Sequence, residues 1–234
     1  MFFFLGLSIG SFLNVVVYRL PRGQGVITGR SRCPVCGHIL AWYDLVPVIS
    51  YTALRGRCRY CKVPIAPRYC VVELMTGALF VLLWLRWGPT LVLVKYLYLG
   101  SIVIAAAFIR LDGHRVPGSL LLAGALGGTT VGLAAGDVTA LSAVVGGAAG
   151  IVVAMTARKV LGGPWMLDDA LLVGVLGTFL GWPWVGIALL CAAAGWGVAT
   201  LACVLIKGKP IDMAIPPSVF FGFATIAVAL WRIP

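Results

Sequence analysis

Cys33-Pro34-Val35-Cys36 and Cys58-Arg59-Tyr60-Cys61 form two Cys-x-x-Cys turns separated by 21 residues. A turn of this kind aims two thiolates at one point, and two such turns complete a tetrahedral four-sulfur shell for zinc. The stretch that carries them, 19–70, is polar, irregular and rich in Pro and Gly. A loop of this size buries too little apolar area to fold alone, so a metal is expected to supply much of its stability. Two disulfides or four free thiols are the competing readings, and a reducing compartment disfavours the first. A closed four-thiolate shell has no open position, so the metal is read as structural. His38 is a spare ligand near the first turn. Cys70, Cys191 and Cys203 stand alone near or within apolar runs and read as small buried hydrophobes.

The chain has seven acids: Asp44, Glu73, Asp112, Asp137, Asp168, Asp169 and Asp212. Ionisable groups at membrane depth are costly and are functional candidates by default. Asp112 follows the third apolar run, and Asp168 and Asp169 open the sixth. Two carboxylates brought together there can share one proton. One then acts as base on a water molecule while the other, protonated, polarises a scissile carbonyl. The plainer readings are a turn at Asp112-Gly113 and a helix cap at Asp168. Glu73 and Arg68 flank the second run as an interfacial ion pair, and Asp212 reads as loop charge beside Lys207 and Lys209.

The elements that must position these groups are membrane helices. Hydrophobic residues make up 61% of 234, charged residues 11%, and mean hydropathy is +1.05. A soluble domain has about 45–50% apolar and about 25% charged residues. Eight spans are expected, over 2–18, 71–87, 91–109, 117–136, 139–157, 167–182, 185–206 and 215–232. The fold class is therefore an all-α polytopic membrane protein with a small zinc-binding loop domain. Three parts follow: a first span at 1–18, the loop domain at 19–70, and a seven-helix region at 71–234. Met1 to Val17 lacks the basic start and small-residue cleavage site of a signal peptide, so a retained span is expected.

The net charge of +11 raises nucleic acid as a partner. Half of the basic residues lie in 19–70, and positive loops kept in the cytoplasm account for the excess without nucleic acid. With the N-terminus outside, inside segments carry 15 basic residues and outside segments carry Arg86, Lys95 and Arg232. That bias places 19–70 in the cytoplasm and both termini outside. Membrane lipid is the expected surrounding.

Gly6, and then Gly10-Ser11-Phe12-Leu13-Asn14-Val15-Val16-Val17-Tyr18-Arg19-Leu20-Pro21, resembles the opening signature of bacterial prepilin peptidases. Cys33 to Cys61, with Trp42, Pro47, Ser50-Tyr51 and Arg55-Gly56-Arg57, is similar to their zinc loop. Pro64-Ile65, Arg68-Tyr69 and Glu73-Leu74 continue the match. The resemblance implies an intramembrane aspartyl endopeptidase. Such enzymes cut short basic leaders from prepilin and pseudopilin precursors at the cytoplasmic face, typically after glycine. Many with this loop also methylate the new N-terminus using S-adenosylmethionine. The substrate's signal helix is the implied partner.

The catalytic half departs from the pattern. Arg110 stands where the family has its first catalytic Asp, seven residues before Pro117, and Asp112 matches a second, less critical acid. Asp169 matches the second catalytic Asp, while Asp168 replaces that motif's glycine and Leu171 its lysine. The late proline motif is reduced to Ala214-Ile215-Pro216-Pro217-Ser218. Positions 110 and 112 point about 200° apart on a helix. The catalytic candidates are thus Asp112 with Asp169, with Asp168 as a substitute partner. A catalytically impaired relative that binds signal helices or an assembly partner is the alternative.

Overall fold

The computed structural model describes residues 1–161, 167–207 and 217–232. The described residues are helical, with two isolated β-bridges and no extended strand. Asp212 and the Ala214–Pro216 part of the late motif lie outside them.

Each expected span coincides with a helix. These are α1 (Phe2–Arg19), α3 (Arg68–Trp87), α4 (Leu91–Leu111), α5 (Gly118–Ala135), α6 (Ala140–Leu161), α7 (Leu167–Leu180), α8 (Trp184–Lys207) and α9 (Pro217–Trp231). A five-residue helix, α2 (Ile49–Ala53), lies within the long loop. Among the described residues, six of them (α1, α3, α4, α5, α6 and α8) are long and apolar enough to cross a membrane. The other two, α7 and α9, have 14 and 15 residues. At 1.5 Å per residue they reach about 21 and 22 Å, short of a hydrocarbon core of about 30 Å. Local chemistry sets the ends. Thr90 caps α4 by accepting from the Leu93 amide at 3.3 Å, Pro117 precedes α5, and Gly136 closes it in the left-handed region at φ 69°.

The chain divides into two compact units, Met1–Leu85 and Arg86–Pro234. In the first, α1 packs on α3 through small residues. A Cβ at Gly6 would lie 2.7 Å from Gly77 Cα, and one at Gly10 would lie 2.7 Å from Glu73 Cα. Spacing of four residues puts both glycines on one face and lets the backbones touch, as small-residue membrane interfaces do. Asn14, one turn further along, donates to the Tyr69 carbonyl at 3.0 Å.

In the second unit, α6 and α7 meet by the same device. A Cβ at Gly146 would lie 2.6 Å from the Gly177 carbonyl, and one at Gly150 would lie 2.8 Å from that of Val173. Helices α4, α5, α7 and α9 pack together around Tyr96, Leu99, Ile104, Ile109, Leu176 and Phe179, all fully buried.

Candidate functional site

In the first unit, the two Cys-x-x-Cys turns fold as matching knuckles. Cys33 N–H donates to His38 and Gly37 N–H to Cys33; Cys58 N–H donates to Val63 and Lys62 N–H to Cys58. Gly37 and Lys62 occupy equivalent left-handed positions at φ 70° and 60°. The four sulfurs lie within 4.8 Å of one another, with Cys33 Sγ and Cys61 Sγ 3.8 Å apart. Zinc–sulfur bonds of about 2.3 Å in a tetrahedron require sulfurs about 3.8 Å apart, so the cluster fits a metal of that kind. The separation is far beyond a disulfide bond of about 2.05 Å. The Cys36 backbone N–H, acting against burial, draws the Cys33 thiol down to about 7. Despite an amide bond from Val63, burial and the neighbouring thiols push Cys61 up to about 11. His38 stacks on Tyr60 with ring centroids 3.5 Å apart, a packing role.

Asp44 ties the segment between the knuckles to the second one. Its carboxylate pairs with Arg59 Nε at 2.7 Å and accepts from Tyr60 Oη at 3.1 Å and Ala41 N at 3.2 Å. Burial raises its pKa, but these donors outweigh burial and hold the carboxyl below the usual range. Asp44→Asn is expected to cost the loop about 1–2 kcal/mol at neutral pH, given the exposed Arg59. A lowered folded pKa means that the contribution is full above the ordinary value of about 3.9. It is lost as pH falls through the lowered value. Amide exchange of the loop in both proteins across that range tests this, and a difference that persists at the most acidic pH refutes it.

In the second unit, three helix ends meet at one buried carboxylate. Asp169, on the first turn of α7, is fully buried. Arg110, on the last turn of α4, sets Nε 2.9 Å from Oδ1, an ion pair outside hydrogen-bond geometry. Its Nη2 donates to Oδ2 at 3.0 Å. Ser218, at the start of α9, donates to Oδ1 at 2.6 Å. Arg110 Nη1 also donates to the His114 carbonyl at 3.3 Å, and Asp168 accepts from the Val116 amide at 2.9 Å. The connection between α4 and α5 is therefore held from both sides. A cavity of about 10 Å³ lies against Arg110, Ser218, Leu172 and Leu176. That is room for about one water molecule.

Helix α4 continues through Leu111, and Asp112 caps it at an exposed position. The α4 side chain that meets Asp169 is Arg110. The resemblance implies catalytic positions at 110 and 169, and the structure puts these two side chains in contact.

Residues 4–87 match the family model described as the Bacterial Peptidase A24 N-terminal domain. A prepilin leader peptidase/N-methyltransferase of Myxococcus xanthus (strain DK1622) is 37% identical over 98% of this chain and 73% of its own length. The chain belongs to the prepilin leader peptidase/N-methyltransferase family. Proteins of that name from Aeromonas hydrophila and Klebsiella pneumoniae are 32% and 37% identical, over 98% and 82% of this chain and 89% of each relative. No solved structure matches the chain.

Two features of this family member escaped the sequence. Ser218 was visible only as part of a reduced motif, 49 residues from the carboxylate it serves. Lys95 was counted as an outside charge, yet it is fully buried and pairs with Asp137 at 2.8 Å, which Arg232 also approaches at 3.3 Å. A lone lysine inside an apolar run was the available signal, because such a charge needs a partner. The pair lies about 22 Å along α4 from Arg110, so it fastens the other ends of α4 and α9.

Proposed function

We propose that this protein acts on prepilin-type and pseudopilin precursors as a leader peptidase, docking their apolar signal helices among its spans. The observation that carries this is the 37% identity running from the cysteine loop through the catalytic half. The chemistry is endoproteolysis of the peptide bond joining leader to helix. A carboxylate removes a proton from water, the water oxygen joins the carbonyl carbon, and the amine leaves with a proton. Asp169 is the base, and Asp112 or Asp168 supplies the acid only weakly, because Arg110 holds the place beside Asp169. The charge bias of the loops places the cut at the cytoplasmic face.

Cys33, Cys36, Cys58 and Cys61 hold a structural zinc, which supplies loop stability and takes no part in hydrolysis. N-methylation of the new N-terminus is the companion activity, with S-adenosylmethionine supplying the methyl group. Asn14 Oδ1 is buried and without a donor, and Glu73 lies one turn away on the facing helix. The two offer acceptors suited to that donor's ammonium group.

The alternative reading is a family member that binds leaders without cutting them. Arg110 contacts both oxygens of Asp169, and a guanidinium cannot share a proton as a second carboxyl would. The test is leader cleavage and substrate co-purification with wild type and Asp169→Asn in the same membranes. Cleavage that disappears in Asp169→Asn supports the aspartyl peptidase. Full cleavage by that variant refutes Asp169 as base. Stable binding without cleavage by either protein establishes the second reading.

A further inference from the structure

The segment Trp42–Ile49 exposes large apolar side chains in an otherwise polar loop. Trp42 is 80% exposed, Ile49 61%, Tyr43 45% and Leu45 40%. The patch is continuous with positive charge: Trp42 and Tyr43 meet edge to face at 5.6 Å, and the Arg59 guanidinium lies 5.0 Å from the Tyr43 ring centre. Arg30, Arg32, Arg55, Arg57 and Lys62 are also exposed. Residues 19–70 carry nine basic side chains and one acid, Asp44, which Arg59 already engages.

The depth of this segment is fixed by one hydrogen bond. The Val48 amide donates to Glu73 Oε2 at 2.8 Å. Glu73 lies five residues inside α3, or about 7.5 Å along its axis. Its Cα packs against Gly10 of α1, nine residues before the end of that helix, or about 13.5 Å. The segment therefore does not stand away from the bilayer. It returns alongside the two helices that flank it, past their ends.

We propose that Trp42, Tyr43, Leu45 and Ile49 insert into the interfacial layer of an anionic membrane, with Arg55 and Arg57 on the lipid phosphates. Tryptophan and tyrosine favour that layer because one part of each ring system is apolar and the other polar. Basic residues beside them gain about 1 kcal/mol each from anionic lipid. A basic leader would be repelled by the same charges, so the substrate is not the occupant. The inference stands independently of the peptidase reading.

The test uses full-length protein in phosphatidylcholine vesicles with and without phosphatidylglycerol. Eight tryptophans are present, so the Trp42 signal is taken as the difference between wild type and Trp42→Phe, both checked for metal content. The expected result is a blue-shifted Trp42 component, quenched severalfold by lipid brominated high on the acyl chain and shielded from aqueous iodide. Arg55→Gln combined with Arg57→Gln should weaken its response to phosphatidylglycerol. A component quenched by iodide and untouched by brominated lipid overturns the proposal. So does a component that becomes shielded only when a precursor is added, which would assign the patch to substrate. An unchanged lipid response in the double variant overturns the phosphate contacts.

Discussion

Arg110→Asp raises leader cleavage by about 10² to 10³ over the wild-type protein, the size of effect that a placed acid–base group contributes. The new carboxyl would enter from the last turn of α4, at the position whose side chain already meets Asp169. Two acids in contact cannot both ionise cheaply, so one binds a proton and the pair acquires the base and acid that hydrolysis needs. Asp168 does not compete for that place, because its oxygen is engaged by the Val116 amide. Ser218 stays on Asp169 and holds its orientation. The change has a structural cost. Breaking a buried ion pair destabilises by about 3–5 kcal/mol when one charge is left unpaired, and a protonated partner that donates to Asp169 offsets part of this. Cleavage rate and thermal stability should therefore move in opposite directions. Adding Asp169→Asn to the variant should abolish the gain, and Arg110→Met should not produce it. If wild type cleaves fast and Arg110→Asp slows it, Arg110 belongs to the working machinery and the proton-sharing account is wrong.

Much of this arrangement was legible because membrane constraints are severe. Backbone groups in lipid must be satisfied within the segment, so each apolar run became a helix within a few residues of its expected bounds. Legibility failed where meaning depended on partners distant in sequence. Composition did not show that α7 stops at Leu180 and α9 at Trp231, before the expected ends at 182 and 232. The cysteines were readable because short-range spacing itself defines a metal shell. Arg110 was readable as a departure from the family pattern. That α4 stays helical through Leu111, with Arg110 against Asp169, depended on where a helix stops. Such an end shifts by a residue or two for small differences in energy. Ser218 and the Lys95–Asp137 pair needed tertiary structure, since nothing local to them reports what they touch.

Zinc removal should unfold the 19–70 loop while leaving α1 and α3 helical. The helices rest on their own backbone hydrogen bonds and on the glycine contacts at Gly6 and Gly10. The loop has no comparable support: of its residues, only Cys33 and Cys58 are buried. Structural zinc contributes about 10–16 kcal/mol in small zinc-binding peptides, far more than the Asp44 contacts supply. Cys58→Ser removes a buried ligand and should lose the metal altogether. The same change at Cys70, Cys191 or Cys203, which lie outside the cluster, should leave zinc at one per chain. Limited trypsinolysis reads the consequence, because Arg30, Arg32, Arg55 and Arg57 are exposed cleavage points whose backbone is protected only while the knuckles hold. Cutting there should accelerate severalfold after chelation or in Cys58→Ser, and zinc should restore resistance to the chelated wild type but not to the variant. A purified protein that lacks stoichiometric zinc and resists trypsin equally with and without chelator would show that the four sulfurs converge for another reason. If the account holds, loss of the knuckles should also release the Val48–Glu73 contact, and the Trp42 patch should leave the membrane surface with it.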